Sequence, residues 1–141
     1  MKFRAILLSL FALFFLSCEN GQIPLGCGPV AVISADFYAN AIDETQTMVL
    51  SADISGNCLF LSVSVSDICD INDVVFELLD AGTLSSDEVP QRFLRVVSNQ
   101  RRSCGLSENV VLSFDIRNLR AQGNQVSLNI QGYSGDIVYS Y

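Results

Sequence analysis

Residues that commonly carry out catalysis are scarce in this sequence. It contains no histidine and no tryptophan, and its single lysine, Lys2, lies in a leading basic segment. Without histidine, the commonest general base and the preferred nitrogen ligand for zinc are missing. Without a further lysine, the amine that forms Schiff bases is missing as well. Because catalysis would have to rest on carboxylates, arginines, hydroxyls or tyrosines, we predict that the protein is not an enzyme and uses no cofactor.

Positive charge is also scarce. Beyond residue 17 the chain has 6 basic residues, all arginine, against 15 acidic ones, which gives a net charge of −9. A chain this acidic is repelled by phosphate backbones and by anionic lipid headgroups, so nucleic acid is not expected as a partner. The length of 141 residues fits one domain with a modest core.

The N-terminal segment has the charge and hydropathy pattern of an export signal. Lys2 and Arg4 supply a short basic head, and the apolar run from Ala5 to Leu16 follows without a charge. The run is shorter than the about 20 residues that a membrane-spanning helix needs. It also lacks the regularly spaced polar positions of an amphipathic core helix. We therefore predict a signal peptide over residues 1–17.

The end of that segment, Phe15-Leu16-Ser17-Cys18, resembles the lipobox of bacterial lipoproteins, in which the cysteine becomes the lipidated first residue of the mature chain. Leu16 and Ser17 match the pattern, and Phe15 stands where leucine is usual. The resemblance implies a diacylglyceryl group and an amide-linked acyl chain on Cys18, which together anchor stably where one chain would bind only marginally. Residues 18–29, interrupted by glycine and proline, would form a tether. A plain cleaved signal peptide is the alternative.

The overall layout looks like that of small uncharacterised lipoproteins of Gram-negative bacteria, particularly of the Bacteroidetes type. The resemblance is carried by Lys2, the apolar run, Ser17-Cys18 and the later segment from Phe114 to Leu119. Such lipoproteins pair a signal and lipobox with a compact β-sandwich. The resemblance implies a lipid-anchored location in the cell envelope, on the outer membrane, and it assigns no catalytic residue.

Residues 30–141 predict a domain built of strands. Alternation of apolar and polar residues is clearest over 58–66, where the serines are expected to face water. Eight strands separated by polar turns predict an all-β fold, an antiparallel β-sandwich of the Ig-like or a similar Greek-key type. A barrel is the alternative, but not a lipid-facing one, because the outward positions are polar. The predicted strands cover residues 30–38, 46–55, 58–66, 74–79, 92–98, 110–116, 126–131 and 137–141.

The five cysteines divide into Cys18 and an even set of four, which predicts two disulfides in an exported chain. If all strands run antiparallel, successive connections alternate between the two ends of the sandwich. That places Cys27 and Cys58 at one end and Cys69 and Cys104 at the other. Because a disulfide joins α-carbons about 4.4–6.8 Å apart, we predict the pairs Cys27–Cys58 and Cys69–Cys104. A metal site is a weaker alternative, since no pair has close spacing and no histidine is available; free thiols are the other.

The same alternation gathers acidic residues at the end that holds Cys69. Three of them, Asp67, Asp70 and Asp73, are weak candidates for calcium ligands, although EF-hand spacing is absent. Solvated turn residues that cap local structure are the alternative. Four arginines, two of them in the same loops, could form a face for an acidic sugar or partner or neutralise neighbouring carboxylates. The acidic residues expected at this end are Asp43, Glu44, Asp67, Asp70, Asp73, Glu108 and Asp136; the arginines of these loops are Arg101 and Arg102, and the other two are Arg92 and Arg95 of the fifth predicted strand.

The sequence therefore predicts an envelope-anchored lipoprotein that acts as a non-catalytic binding or structural module. Its expected partners are the membrane, through the lipid anchor, and an envelope protein or a glycan. A calcium-stabilised adhesion or carbohydrate-binding domain is the alternative. A hydrolase with paired carboxylates is less favoured, because a chain of this size leaves little room for a deep cleft.

Overall fold

The computed structural model describes residues 26–100 and 102–141. The predicted signal peptide, Cys18 and most of the predicted tether lie outside these ranges. The longest helix within them has six residues, and none there has the length and apolar character needed to cross a membrane. In chain order the elements are β1 (Val32–Ile33), α1 (Ala35–Asn40), β2 (Gln46–Ser55), β3 (Cys58–Ile68), the 3-10 turn η1 (Ile71–Asp73), β4 (Val75–Asp80), β5 (Gln91–Asn99), β6 (Leu106–Asp115), the 3-10 turn η2 (Arg117–Leu119), β7 (Gln125–Ile130) and β8 (Val138–Ser140).

The strands form two sheets, and the predicted all-β fold of eight strands is confirmed. One sheet has the order β2-β3-β6 and is antiparallel throughout. The other has the order β1-β4-β5-β7-β8 and is mixed, because β1 is parallel to β4 and β5 is parallel to β7. The expectation that every pair is antiparallel is therefore wrong for this sheet. Since β6 belongs to the other sheet, β5 and β7 become neighbours although both run in the same direction.

The first predicted strand, over residues 30–38, is also wrong in its second half. The segment first follows the edge of β6, where the amide of Ala31 donates to the carbonyl of Asp115 at 3.0 Å. It then crosses to β4 as the two-residue strand β1. At Ser34 the hydroxyl accepts from the amide of Phe37 at 3.3 Å, and this N-cap starts helix α1. A capping serine thus ends the extended run that the apolar residues had indicated.

The core lies between the two sheets and is centred on β3. Leu59, Leu61, Val63 and Val65 alternate along this strand and are fully buried. Their partners on β2 and β6 point to the same side, as the antiparallel register requires. Full burial of each such side chain contributes about 1.5–3 kcal/mol to the free energy of unfolding. The predicted alternation of β3, with serines outward, is therefore confirmed.

The two disulfides close opposite ends of the sandwich, as predicted. Cys27 and Cys58 form one, with α-carbons 5.0 Å apart, and Cys69 and Cys104 form the other, with α-carbons 4.8 Å apart. We call these the near disulfide and the far disulfide, and the ends that they close the near end and the far end. The pairing is correct although β1 does not run as assumed, because α1 carries the chain from the near half toward the far end.

Candidate functional site

At the far end, Asp67 fastens the end of β3 to the loop between β5 and β6. Its Oδ1 accepts from Ser103 Oγ at 2.6 Å and from the amide of Gly105 at 3.1 Å, and its carbonyl accepts from Gln100 Nε2 at 2.6 Å. Its backbone has a φ of 66°, which aspartate tolerates better than most residues. The carboxylate is therefore occupied inside the protein, beside the far disulfide.

Asp70 has a local role of a different kind. Its Oδ1 accepts from the amide of Asn72 at 2.9 Å and from Asn72 Nδ2 at 2.8 Å, so that it caps the turn η1. The backbone hydrogen bond first, and the side-chain bond second, hold the pKa of Asp70 below its ordinary value. Asp73, three residues on, is exposed at the end of the same turn.

The three candidate calcium ligands are thus used separately and do not converge. Within residues 26–100 and 102–141, no three acidic, cysteine or histidine side chains are placed to hold a metal ion. Asp70 caps the turn η1 and Asp73 ends it, while Asp67 is bonded to the loop that follows β5. Asp70 instead caps local structure, the alternative role expected for these three aspartates.

A concavity of about 490 Å³ opens at the far end, next to these residues. Several of its polar side chains already have partners within the protein, including those of Asp70, Asn72 and Gln100. It therefore presents few free groups to a ligand. Its lining residues are Cys69, Asp70, Asn72, Asp73, Val75, Gln100 and Arg102.

One more carboxylate acts as a brace inside the domain at the far end. Asp43 Oδ1 accepts from the amide and the hydroxyl of Ser98, at 3.0 and 2.7 Å, and thereby fixes the start of β2 to the end of β5. Thr45 completes this far-end network through its own hydrogen bonds to Ser98, which is 1% exposed. Buried hydroxyls of this kind need such partners, because an unpaired one costs about 1–3 kcal/mol.

The arginines do not gather into one face. Arg92 is buried, and its Nη1 lies 2.9 Å from Asp80 Oδ1 while its Nε donates to the carbonyl of Leu119 at 2.6 Å. Arg95 donates to the carbonyl of Tyr38 at 3.1 Å and so holds α1 on the sheet. Arg102 lines the concavity, and Arg101 lies outside the described residues. Of the two roles expected for the arginines, Arg92 has that of neutralising a carboxylate, because it pairs with Asp80.

The near end is fastened by a second polar cluster. Asp115 is buried and paired with Arg117, whose Nε lies 2.9 Å from its Oδ2, and this hydrogen bond holds the pKa of Asp115 below its ordinary value. Arg120 lies over the rings of Tyr139 and Tyr141, with its guanidinium carbon 5.9 and 5.0 Å from the ring centroids. These cation–π contacts join the C-terminal strand to the η2 loop.

The outer side of the three-stranded sheet differs from both ends. Its outward positions form four rows across the strands, in the order β2, β3, β6. The rows are Asp53, Phe60, Ser113; Ser51, Ser62, Val111; Met48, Ser64, Asn109; and Gln46, Ser66, Ser107. We call these twelve residues the serine face.

Six of the twelve residues are serines and only Asp53 is ionisable. The side-chain hydrogen bonds between described residues lie elsewhere, at the two ends, around α1 and on the five-stranded sheet. The serine face thus keeps its hydrogen-bonding capacity free within the described part of the chain. The alternation of β3 predicts its serines on the surface, but it does not predict a site, because the partners on β2 and β6 follow only from the register.

Neither family models nor curated proteins show a match to this sequence. Among solved structures, the domain is similar to a protein of unknown function, DUF1344, from Bacteroides vulgatus. The TM-score is 0.50 and the identity 12%, over 80% of this chain and 57% of that one. At this identity the likeness shows the fold alone. The neighbour comes from Bacteroides, which is consistent with the Bacteroidetes type that the sequence resembles.

Proposed function

We infer that the protein is an envelope-anchored lipoprotein whose β-sandwich serves as a non-catalytic binding or structural module. Lipidation at Cys18, an outer-membrane location and the absence of catalysis are all parts of this proposal. The two disulfides support it, because such bonds persist in oxidising compartments outside the cytosol.

The near disulfide is the observation that carries the proposal. It fixes Cys27, nine residues after Cys18, to the first residue of β3. Nine residues span at most about 30 Å, since an extended chain covers about 3.3–3.6 Å per residue. A lipid on Cys18 would therefore hold the near end toward the membrane. The far end would point away, and the sheet faces would stay accessible from the side.

The use of the carboxylates supports a non-catalytic role. Asp43, Asp67 and Asp70 accept hydrogen bonds that fix loops and caps, and Asp80 and Asp115 pair with arginines. A glycoside hydrolase needs two free carboxylates facing each other across a substrate. Because these carboxylates stabilise the fold, we infer that the module recognises its partner through its surfaces and performs no catalysis.

The test of anchoring compares Cys18→Ser with Ser17→Ala, a control that keeps a small residue before the cysteine. Both full chains are expressed in a Gram-negative host, the envelope is fractionated, and the N-terminal peptide is weighed by mass spectrometry. We expect Ser17→Ala to stay membrane-bound with acyl chains on Cys18, and Cys18→Ser to lose both the lipid and the membrane retention. Membrane retention of Cys18→Ser equal to that of the control would contradict the proposal.

A further inference from the structure

We propose that the serine face is the binding surface of this module and that it takes an uncharged polysaccharide. This deepens the proposed function and rests on it, since it assumes that the module binds a partner. The surface is defined by the register of β2, β3 and β6, and the proposal follows from its spacing, its charge and its free hydrogen-bonding groups.

The spacing gives the serine face a repeating arrangement. Neighbouring strands lie about 4.7–4.9 Å apart, and every second residue along a strand is about 7 Å further on. Ser62, Ser64 and Ser66 therefore form a line of hydroxyls along the middle strand, with a polar or apolar neighbour on each side. Four rows cover about 20 Å along the strands. A polymer with hydroxyls repeated along its length can contact several rows at once.

Charge selects among such polymers. The mature chain has a net charge of −9, so an anionic polymer is repelled wherever it approaches. Within the serine face, no arginine or lysine offers a partner for a carboxylate, sulfate or phosphate, and Asp53 adds a further negative charge at one edge. A neutral ligand avoids both this repulsion and the free-energy cost of desolvating a charge.

The free hydrogen-bonding groups suit a ligand made of hydroxyls. Each serine hydroxyl donates one hydrogen bond and accepts others, and the amides of Gln46 and Asn109 do both as well. Exposed apolar groups occur once in each of three rows, as Phe60, Val111 and Met48, which are 36%, 67% and 57% exposed. Leu50, the extra residue of β2 at the irregularity in its register, is 45% exposed beside Met48. These groups can contact the C–H surfaces of sugar rings while the serines bind the hydroxyls.

A protein partner fits this surface less well. Protein interfaces are depleted in serine and enriched in aromatic residues, methionine and arginine, whereas half of this face is serine. Pairing of a second copy along the edge of β2 is hindered by the irregular register between Val49 and Ser51, since a bulge interrupts the hydrogen bonds that an added strand would need. A second copy that packs on the serine face itself is the alternative that the experiment must detect.

The test uses affinity electrophoresis of the full chain, purified in a mild detergent. The gels contain dextran, mannan or a soluble β-1,3-glucan as neutral polymers, or alginate as an anionic one. We expect at least one neutral polymer to retard the protein and alginate to leave its mobility unchanged. Retardation by alginate alone, or by none of the four polymers, overturns the proposal. Membrane anchoring through Cys18 is measured separately, so that the proposed function can stand where this inference fails.

Substitutions locate the surface. Ser64→Ala removes a central hydroxyl and should weaken binding to the retarding polymer about 2- to 10-fold, the range that one net hydrogen bond allows. Ser64→Thr keeps the hydroxyl and should bind within about 2-fold of the original protein. Ser64→Lys should abolish retardation, whereas the matched control Ser140→Lys, at an exposed position of strand β8 in the other sheet, should not.

Two outcomes would overturn the assignment of the surface. The first is equal binding by Ser64→Ala, Ser64→Thr and the original protein, each with an unchanged circular dichroism spectrum. The second is concentration-dependent dimerisation in light scattering that Ser64→Lys abolishes while polysaccharide retardation persists. That result would assign the serine face to a second copy of the chain.

Discussion

The ends of the sandwich and the serine face use polar side chains in opposite ways. At the ends, carboxylates and hydroxyls are joined to backbone amides, arginines and each other, beside a disulfide at each end. On the serine face, six serines lie in rows across the strands and have no side-chain hydrogen-bond partner among the described residues. The difference separates polar groups that hold the fold from polar groups that are available to a ligand. Substitutions should therefore act on stability at the ends and on binding at the face.

The largest effect on stability is expected at the buried ion pair. Arg92→Met leaves Asp80, which is 0% exposed, without its cation, and this should lower the free energy of unfolding by about 3–5 kcal/mol. The control Arg102→Met, at an exposed residue, should change it by no more than about 0.5 kcal/mol. Urea unfolding followed by circular dichroism measures both. Equal decreases in the free energy of unfolding for the two variants would contradict a stabilising role of the buried ion pair.

Removing a disulfide should cost somewhat less. The far disulfide closes a loop with a sequence separation of 35 residues and the near disulfide one of 31. For such loops the chain-entropy model gives about 3–4 kcal/mol each. Replacing both cysteines of one pair by alanine should therefore lower stability similarly at either end.

The two disulfide variants should differ in where the structure loosens. Loss of the near disulfide should raise hydrogen exchange at Ala31, whose amide is bonded to Asp115 of β6. Loss of the far disulfide should raise it instead at Gly105, whose amide is bonded to Asp67. Exchange measured by mass spectrometry tests this. Uniform loosening across both ends in both variants would contradict the separation of the ends.

A smaller effect concerns acid. The pKa of Asp115 is lowered in the folded protein, chiefly by the hydrogen bond from Arg117, so its contribution to stability is present above the ordinary aspartate pKa of about 3.9. That contribution is lost as the pH falls through the lowered pKa. Asp115→Asn should therefore be less stable than the original protein near neutral pH, and the difference should shrink below pH about 4. Thermal melts across this range measure it, and a difference that stays constant with pH would contradict the assignment.

Much of the fold could be predicted because it depends on local patterns. Apolar residues alternate along β3, at Leu59, Leu61, Val63 and Val65, and this pattern indicates which side of the strand is buried. The even set of four cysteines predicts the two disulfides that close the ends of the sandwich. The helix α1 was missed because it has only six residues and follows an apolar run typical of a strand. Its start depends on the Ser34 cap, a signal too weak to outweigh that run.

The role of the far-end acids could not be predicted in the same way. Asp67 is held by Ser103 and Gly105, which are 36 and 38 residues away in sequence, and Asp43 by Ser98, which is 55 residues away. No local pattern reports such contacts. The serine face depends on register across three strands for the same reason, so the serines of β3 could be placed on the surface but their neighbours could not be known.

The most direct measurement compares two Ser→Ala substitutions in the free energy of unfolding. Ser98→Ala removes a buried hydroxyl bonded to Asp43 and should cost about 1–3 kcal/mol, because the carboxylate loses a donor inside the protein. Ser64→Ala removes a hydroxyl of the serine face and should change stability by less than about 0.5 kcal/mol. Urea unfolding of both proteins under the same conditions gives the two values. Equal costs at the two positions would contradict the division between polar groups that hold the fold and polar groups left free to bind.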